Sequence, residues 1–255
     1  MTTHSISQST PHTNRQTLLI CFLAALAGLL FGLDMGVIAG ALPFLAKEFA
    51  LSSHQQEMVV SIMMLGAALG ALCSGPLCTR IGRKKTLLIG SVLFVVGSIG
   101  CALAPDLSTL VISRFLLGAA VGVASFVAPL YLSEIAPEHI RGSMISLYQL
   151  MITIGILAAF LSDTALSASG NWRWMLGIIT IPALILFFGV LTLPESPRWL
   201  MMKDKHALAE KVLLLLRSTR EEAHSELEAI RESVQVRQRG WQLFRANSHF
   251  RRSTY

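Results

Sequence analysis

Six stretches of this chain, 18–45, 58–77, 86–103, 107–131, 145–166 and 174–193, run apolar with hardly a charge between them. A bilayer core about 30 Å thick is crossed by about 20 helical residues, so each stretch reads as a membrane span. Only 14% of the residues are charged and the mean hydropathy is +0.60, whereas soluble domains carry about 25% charged residues. Soluble globular, disordered and fibrous classes are thereby excluded. The first stretch is too long for a secretory leader and lacks a small-residue cleavage pattern, so it is read as retained.

Charge sets the orientation. The loops after the second and fourth spans carry Arg80, Arg83, Lys84, Lys85 and Arg141, and the segment after the sixth is strongly basic. The alternate loops carry Lys47 with Glu48 and Glu57, then Asp106, then Asp163 with Arg173. The positive-inside rule therefore puts both termini in the cytoplasm of a multi-pass protein, expected in a bacterial inner membrane. The net charge of +6 comes mostly from residues 198–255, with twelve basic against seven acidic side chains. It is loop charge beside a lipid bilayer, without the aromatic-interleaved patch of a nucleic-acid binder. Cys21, Cys73, Cys78 and Cys101 lie in or beside apolar runs with no metal-ligand spacing, so no metal is expected.

Three regions follow. Residues 1–16 are expected to be a disordered cytoplasmic N-terminus, 17–193 a six-helix transmembrane domain, and 194–255 a cytoplasmic helical segment cut off before a seventh span. The last ends at Phe250-Arg251-Arg252-Ser253-Thr254-Tyr255, a basic flank of the kind that precedes a membrane entry. None of the seven histidines falls inside an expected span, and no nucleophile–base motif or phosphate-binding glycine loop is found, so an enzyme is not expected.

A shift of 86 positions lays the first span on the fourth, matching Leu30 to Leu116, Gly32 to Gly118, Gly36 to Gly122, Val37 to Val123, Pro43 to Pro129 and Glu48 to Glu134. Those spans cross the bilayer in opposite senses, which points to a 3+3 inverted repeat. The alternative is two glycine-rich helices that merely pack alike.

Asp34 and Arg114 fall inside spans, where ionised groups are costly and imply function. Both map to the outer third of the bilayer, so they can pair. A carboxyl poised between an arginine and an apolar bundle can take up and release a proton. A permanent structural pair is one alternative; Asp34 facing water near helix breaks at Gly32 and Gly36 is another. On the fifth span Gln149, Ile152 and Ile156 share one helix face. An amide with donors and an acceptor suits sugar hydroxyls, and isoleucines suit ring carbons; a glutamine bonding between helices is the rival reading.

Taken together, these residues resemble the sugar porter group of the major facilitator superfamily. The resemblance rests on Gly75-Pro76-Leu77-Cys78-Thr79-Arg80-Ile81-Gly82-Arg83-Lys84-Lys85, with Thr79 at a position where aspartate is usual. It rests also on Leu116-x-Gly118-Ala-x-x-Gly122 continued by Tyr131, Glu134 and Arg141, and on Pro194-Glu195-Ser196-Pro197-Arg198. Phe31-Gly32-Leu33-Asp34 and Tyr148-Gln149-Leu150 are similar to the enterobacterial galactose–proton and arabinose–proton members.

The resemblance implies an all-α membrane protein, the N-terminal half of a twelve-span fold. It implies proton coupling at Asp34 and Arg114, and a monosaccharide site with Phe31, Gln149, Ile152 and Ile156. It implies a cytoplasmic gate containing Gly75, Arg80, Gly82, Arg83, Glu134, Arg141, Glu195 and Arg198. The proton is the coupling ion and no cofactor is implied. The expected partners are a monosaccharide, the bilayer and the missing C-terminal half. The design is thus read as a proton-coupled monosaccharide symporter, here a truncated half without transport of its own. A passive sugar facilitator and a non-transporting half-size membrane partner remain as alternatives, and galactose, glucose, arabinose and xylose all remain open as substrates.

Overall fold

The computed structural model describes residues 14–168 and 170–246, without the side chains of 235–246. The expected N-terminal disorder over 1–13 and the basic flank at 250–255 lie outside the described residues. Helices follow in the order α1 (Arg15–Glu48), α2 (Ser53–Ile81), α3 (Arg83–Ala102), α4 (Leu107–Ile135), α5 (Glu138–Ser167), α6 (Trp172–Gly177), α7 (Thr180–Thr192), α8 (Pro197–Met202), α9 (His206–Leu216) and α10 (Arg220–Ala246). Six spans are long and apolar enough to cross a membrane: α1 to α5, and α6 with α7 as one.

Side-chain caps start the helices, satisfying amides that have no partner within the first turn. Asn14 accepts from the Gln16 amide, so α1 begins inside the segment expected to be disordered. Ser52 and Gln55 cap α2 reciprocally. Asp106 accepts from the Thr109 amide at 2.7 Å, and hydrogen bonds from Thr109 hold its carboxyl below the usual range. The spanning helices run past the apolar blocks at both ends, so His54 and His139 lie in the first turns of α2 and α5, contrary to expectation. The sixth span is not one helix. Pro182 has no amide to give to the Ile178 carbonyl, and α6 and α7 meet there through a turn in which Ile181 bonds Ile178 instead.

Glycines let helices touch backbone to backbone. Gly32 of α1 sits so close to the Ile152 carbonyl of α5 that a methyl group would overlap it, and Gly118 of α4 meets the Met63 carbonyl of α2 in the same way. Gly36 and Gly122 repeat the pattern against α5 and α2. The helix breaks considered at Gly32 and Gly36 are absent; α1 is continuous through both.

The same offset relates Glu48 and Glu134, whose ion pairs lie at opposite ends of the bundle. Glu134, ending α4, holds Arg83 at the start of α3, and Glu48, ending α1, holds Arg173 at the start of α6. The first lies at the basic end, with Arg80 and Arg141; the second lies at the far end. Inverted repetition accounts for both the glycine seats and the paired ends.

Helices α8 to α10 cover the basic end. Arg217, 4% exposed, donates to the Ile135 carbonyl at 2.9 Å and to both Glu226 oxygens at 2.5 and 2.7 Å. Thr17 and Asn14 donate to the carbonyls of Leu216 and Leu215. These bonds tie the segment to α1 and α4.

Candidate functional site

Asp34 and Arg114 are brought together. Arg114 Nη1 donates to Asp34 Oδ1 at 2.7 Å, and neither side chain is exposed. The contact is sparse. Among the described residues Asp34 Oδ2 and Arg114 Nε have no partner, and Arg114 Nη2 reaches only the Met63 sulfur, at 3.6 Å. Helix α1 thus presents Asp34 to Arg114 of α4, while Phe31 and Met35, four residues apart on α1, line a nearby cavity.

That cavity is about 630 Å³ and is walled by three helices. Phe31 and Met35 come from α1, Ser125 and Pro129 from α4, and Ile145, Ser146, Tyr148, Gln149 and Ile152 from α5. The Gln149 carboxamide is exposed here and, among the described residues, bonds to no other helix. Ile152 is 8% exposed, contributing an edge of apolar wall. Ile156 does not line the cavity; its backbone packs on Gly32 and Gly36, because the glycine seam draws that turn of α5 onto α1. Met35, Ser125, Ser146 and Tyr148 were not foreseen as lining. Spacing from Phe31 and Gln149 on the same helices could have suggested Met35, Ser146 and Tyr148; Ser125, on α4, had no such neighbour.

At the basic end the expected gate residues divide. Arg83 grips Glu134 with two parallel hydrogen bonds of 2.8 Å and gives a third to the Cys78 carbonyl. Ser196 Oγ adds a bond to Glu134 Oε2 at 2.5 Å. Glu195 Oε1 accepts from the amides of Arg83, Lys84 and Ser196 at 2.9 to 3.0 Å, occupying the start of α3 where an anion is favoured. Gly82, at φ +103°, leaves the room that this carboxylate fills. Tyr131 donates to the Pro194 carbonyl at 2.8 Å.

The other members stand apart. Arg80 and Arg198 are exposed and form no ion pair among the described residues, and a methyl group at Gly75 would meet the Phe126 ring at an ordinary 3.9 Å. Arg141 lines a separate surface cavity between α5 and α10, its Nε unpartnered. Of the eight residues expected at the gate, four, Gly82, Arg83, Glu134 and Glu195, are thus brought together in this structure, joined by Ser196.

An inverted-repeat bundle of six membrane spans, with a buried ion pair beside a polar-edged cavity, is the architecture of a membrane transporter. The chain belongs to the family described as sugar (and other) transporter, which matches residues 20–255. It is 65% identical over 239 residues to the galactose-proton symporter of Escherichia coli K12, covering 94% of this chain and 52% of that protein. It is 56% identical over 243 residues to the arabinose-proton symporter of the same strain, covering 95% and 52%. The solved structure of a major facilitator superfamily proton:xylose symporter bound to 6-bromo-6-deoxy-D-glucose superposes with a TM-score of 0.84 at 30% identity, over 91% of this chain and 56% of that one. The chain spans about half the length of the relatives it matches, and its fold is that of the N-terminal six-helix half.

Proposed function

We propose that these residues form the N-terminal wall and the proton-coupling site of a proton-coupled monosaccharide symporter that works by alternating access. The observation that carries the reading is the contrast between two buried arginine–carboxylate pairs. Glu134 is saturated with hydrogen bonds, as a structural pair should be. Asp34 is held by one bond and keeps a free oxygen, as a proton acceptor should.

In this reading the basic end faces the cytoplasm. A proton on Asp34 Oδ2 neutralises the carboxyl and loosens its hold on Arg114, so α1 and α4 can shift against each other; when Arg114 returns, the ionic form is favoured and the proton leaves. Gln149 offers its carboxamide to sugar hydroxyls while Phe31 and Ile152 pack against ring carbons. The cluster of Arg83, Glu134, Glu195 and Ser196 locks the cytoplasmic ends of α3 and α4. A hexose or pentose such as galactose or arabinose, the sugars named for the two close relatives, suits the wall. A single wall of α1, α4 and α5 binds without enclosing, so accumulation in this reading requires a second wall facing it.

The test is a chimera in which the second half of the galactose–proton relative follows these residues. Gln149→Ala should weaken sugar binding by about tenfold, the scale of about one hydrogen-bonding group. Unchanged affinity contradicts the sugar role.

A further inference from the structure

Asp163 is a second buried carboxyl, and the proton path just described does not use it. It lies four residues before the end of α5, is 6% exposed, and has no hydrogen-bond partner on either oxygen. Its side chain is folded onto Gly40 of α1, where a methyl group would overlap the carboxyl and come within 2.6 Å of the Asp163 Cβ. Gly40 is six residues beyond Asp34, about 9 Å along the helix toward the far end.

No cation compensates it. On α1, Lys47 is exposed at the helix end and Glu48 is bound to Arg173; on α6, Arg173 is that partner; on α4, Arg114 is bound to Asp34. Asp163 is in no ion pair among the described residues. A carboxylate sealed in this place has no counter-ion among the described residues and at most the Gly40 backbone amide to turn to, a costly state for such a group. The neutral acid removes the charge and needs only one acceptor for its O–H.

We propose that Asp163 is a second proton-binding site, at the far-end seam between α1 and α5, and that it takes up a proton at mildly acidic pH while the seam is closed. The proton comes from water at the far surface and returns there when α1 and α5 part, exposing the carboxyl. Lower pH therefore favours the closed seam. This does not depend on sugar transport.

The test is infrared spectroscopy of the purified chain in lipid nanodiscs, reading the carbonyl stretch of a protonated carboxylic acid and its shift in D2O. The wild type should show the band at mildly acidic pH, Asp34→Asn should keep it and Asp163→Asn should lose it. Because Asp163→Asn removes the group itself, Asp163→Glu provides a second reading: the band should persist at a moved frequency. Absence of the band in the wild type, or a band indifferent to both Asp163 variants, overturns the proposal. A band lost only in Asp34→Asn overturns it too, and assigns the proton to Asp34.

Discussion

Arg114 holds Asp34 through a single hydrogen bond of 2.7 Å and leaves Oδ2 of that carboxylate without a partner, although both side chains are fully buried. Twenty residues further along α4, Glu134 is held by the full guanidinium fork of Arg83. The bidentate form is the stronger and more directional. The two pairs should therefore respond differently to substitution.

Removing one partner of the saturated pair strands the other. Arg83→Met should destabilise the folded chain by about 3–5 kcal/mol, the usual cost of an uncompensated buried charge. Arg83→Lys keeps the charge, loses the fork and should cost less. Thermal unfolding in detergent ranks the two; an Arg83→Met protein as stable as the wild type contradicts the structural role of this pair.

Glycine positions that look alike in sequence should separate sharply. Gly32→Ala and Gly118→Ala push a methyl into a carbonyl of the facing helix, so each should lower stability by at least the roughly 1–3 kcal/mol typical of overpacking. Gly142 on α5 has open space around it, and Gly142→Ala should stabilise by up to about 1 kcal/mol through helix propensity. Gly75→Ala should be tolerated. The same unfolding assay checks all four.

Arg217 fastens the basic-end helices. Arg217→Met leaves the Ile135 carbonyl and the Glu226 carboxylate without their donor. Amide hydrogen exchange over α9 and the start of α10 should quicken markedly, while exchange in α4 away from its end stays as it was. Unchanged protection in α9 contradicts this anchoring.

The number of spans was legible because apolar length is a property of sequence alone. The helix ends were not, because Asn14, Ser52 and the first turns of α2 and α5 are polar yet helical, set by caps rather than hydropathy. The offset of 86 showed Gly32 over Gly118 and Glu48 over Glu134. It could not show that the glycines seat backbone carbonyls, or that each glutamate meets an arginine at the start of another helix. Asp34 and Arg114 were identifiable as buried charges, but the free oxygen that distinguishes their pair is a matter of side-chain geometry. Ile156 followed the helical face of Gln149 and was still misplaced, since helical periodicity does not reveal where a neighbouring helix draws close. Ser196 lay inside the Pro194–Arg198 motif without being singled out, and Arg217 gave no sequence signal; a serine and an arginine in a charged segment are ordinary until a buried partner is seen.

The central claim is that Asp34 carries the proton. The most direct measurement is sugar uptake by the chimera in proteoliposomes under an imposed pH gradient, beside sugar exchange without one, for the wild type and Asp34→Asn. The account predicts that Asp34→Asn exchanges sugar but no longer accumulates it. Accumulation by Asp34→Asn equal to the wild type would contradict it.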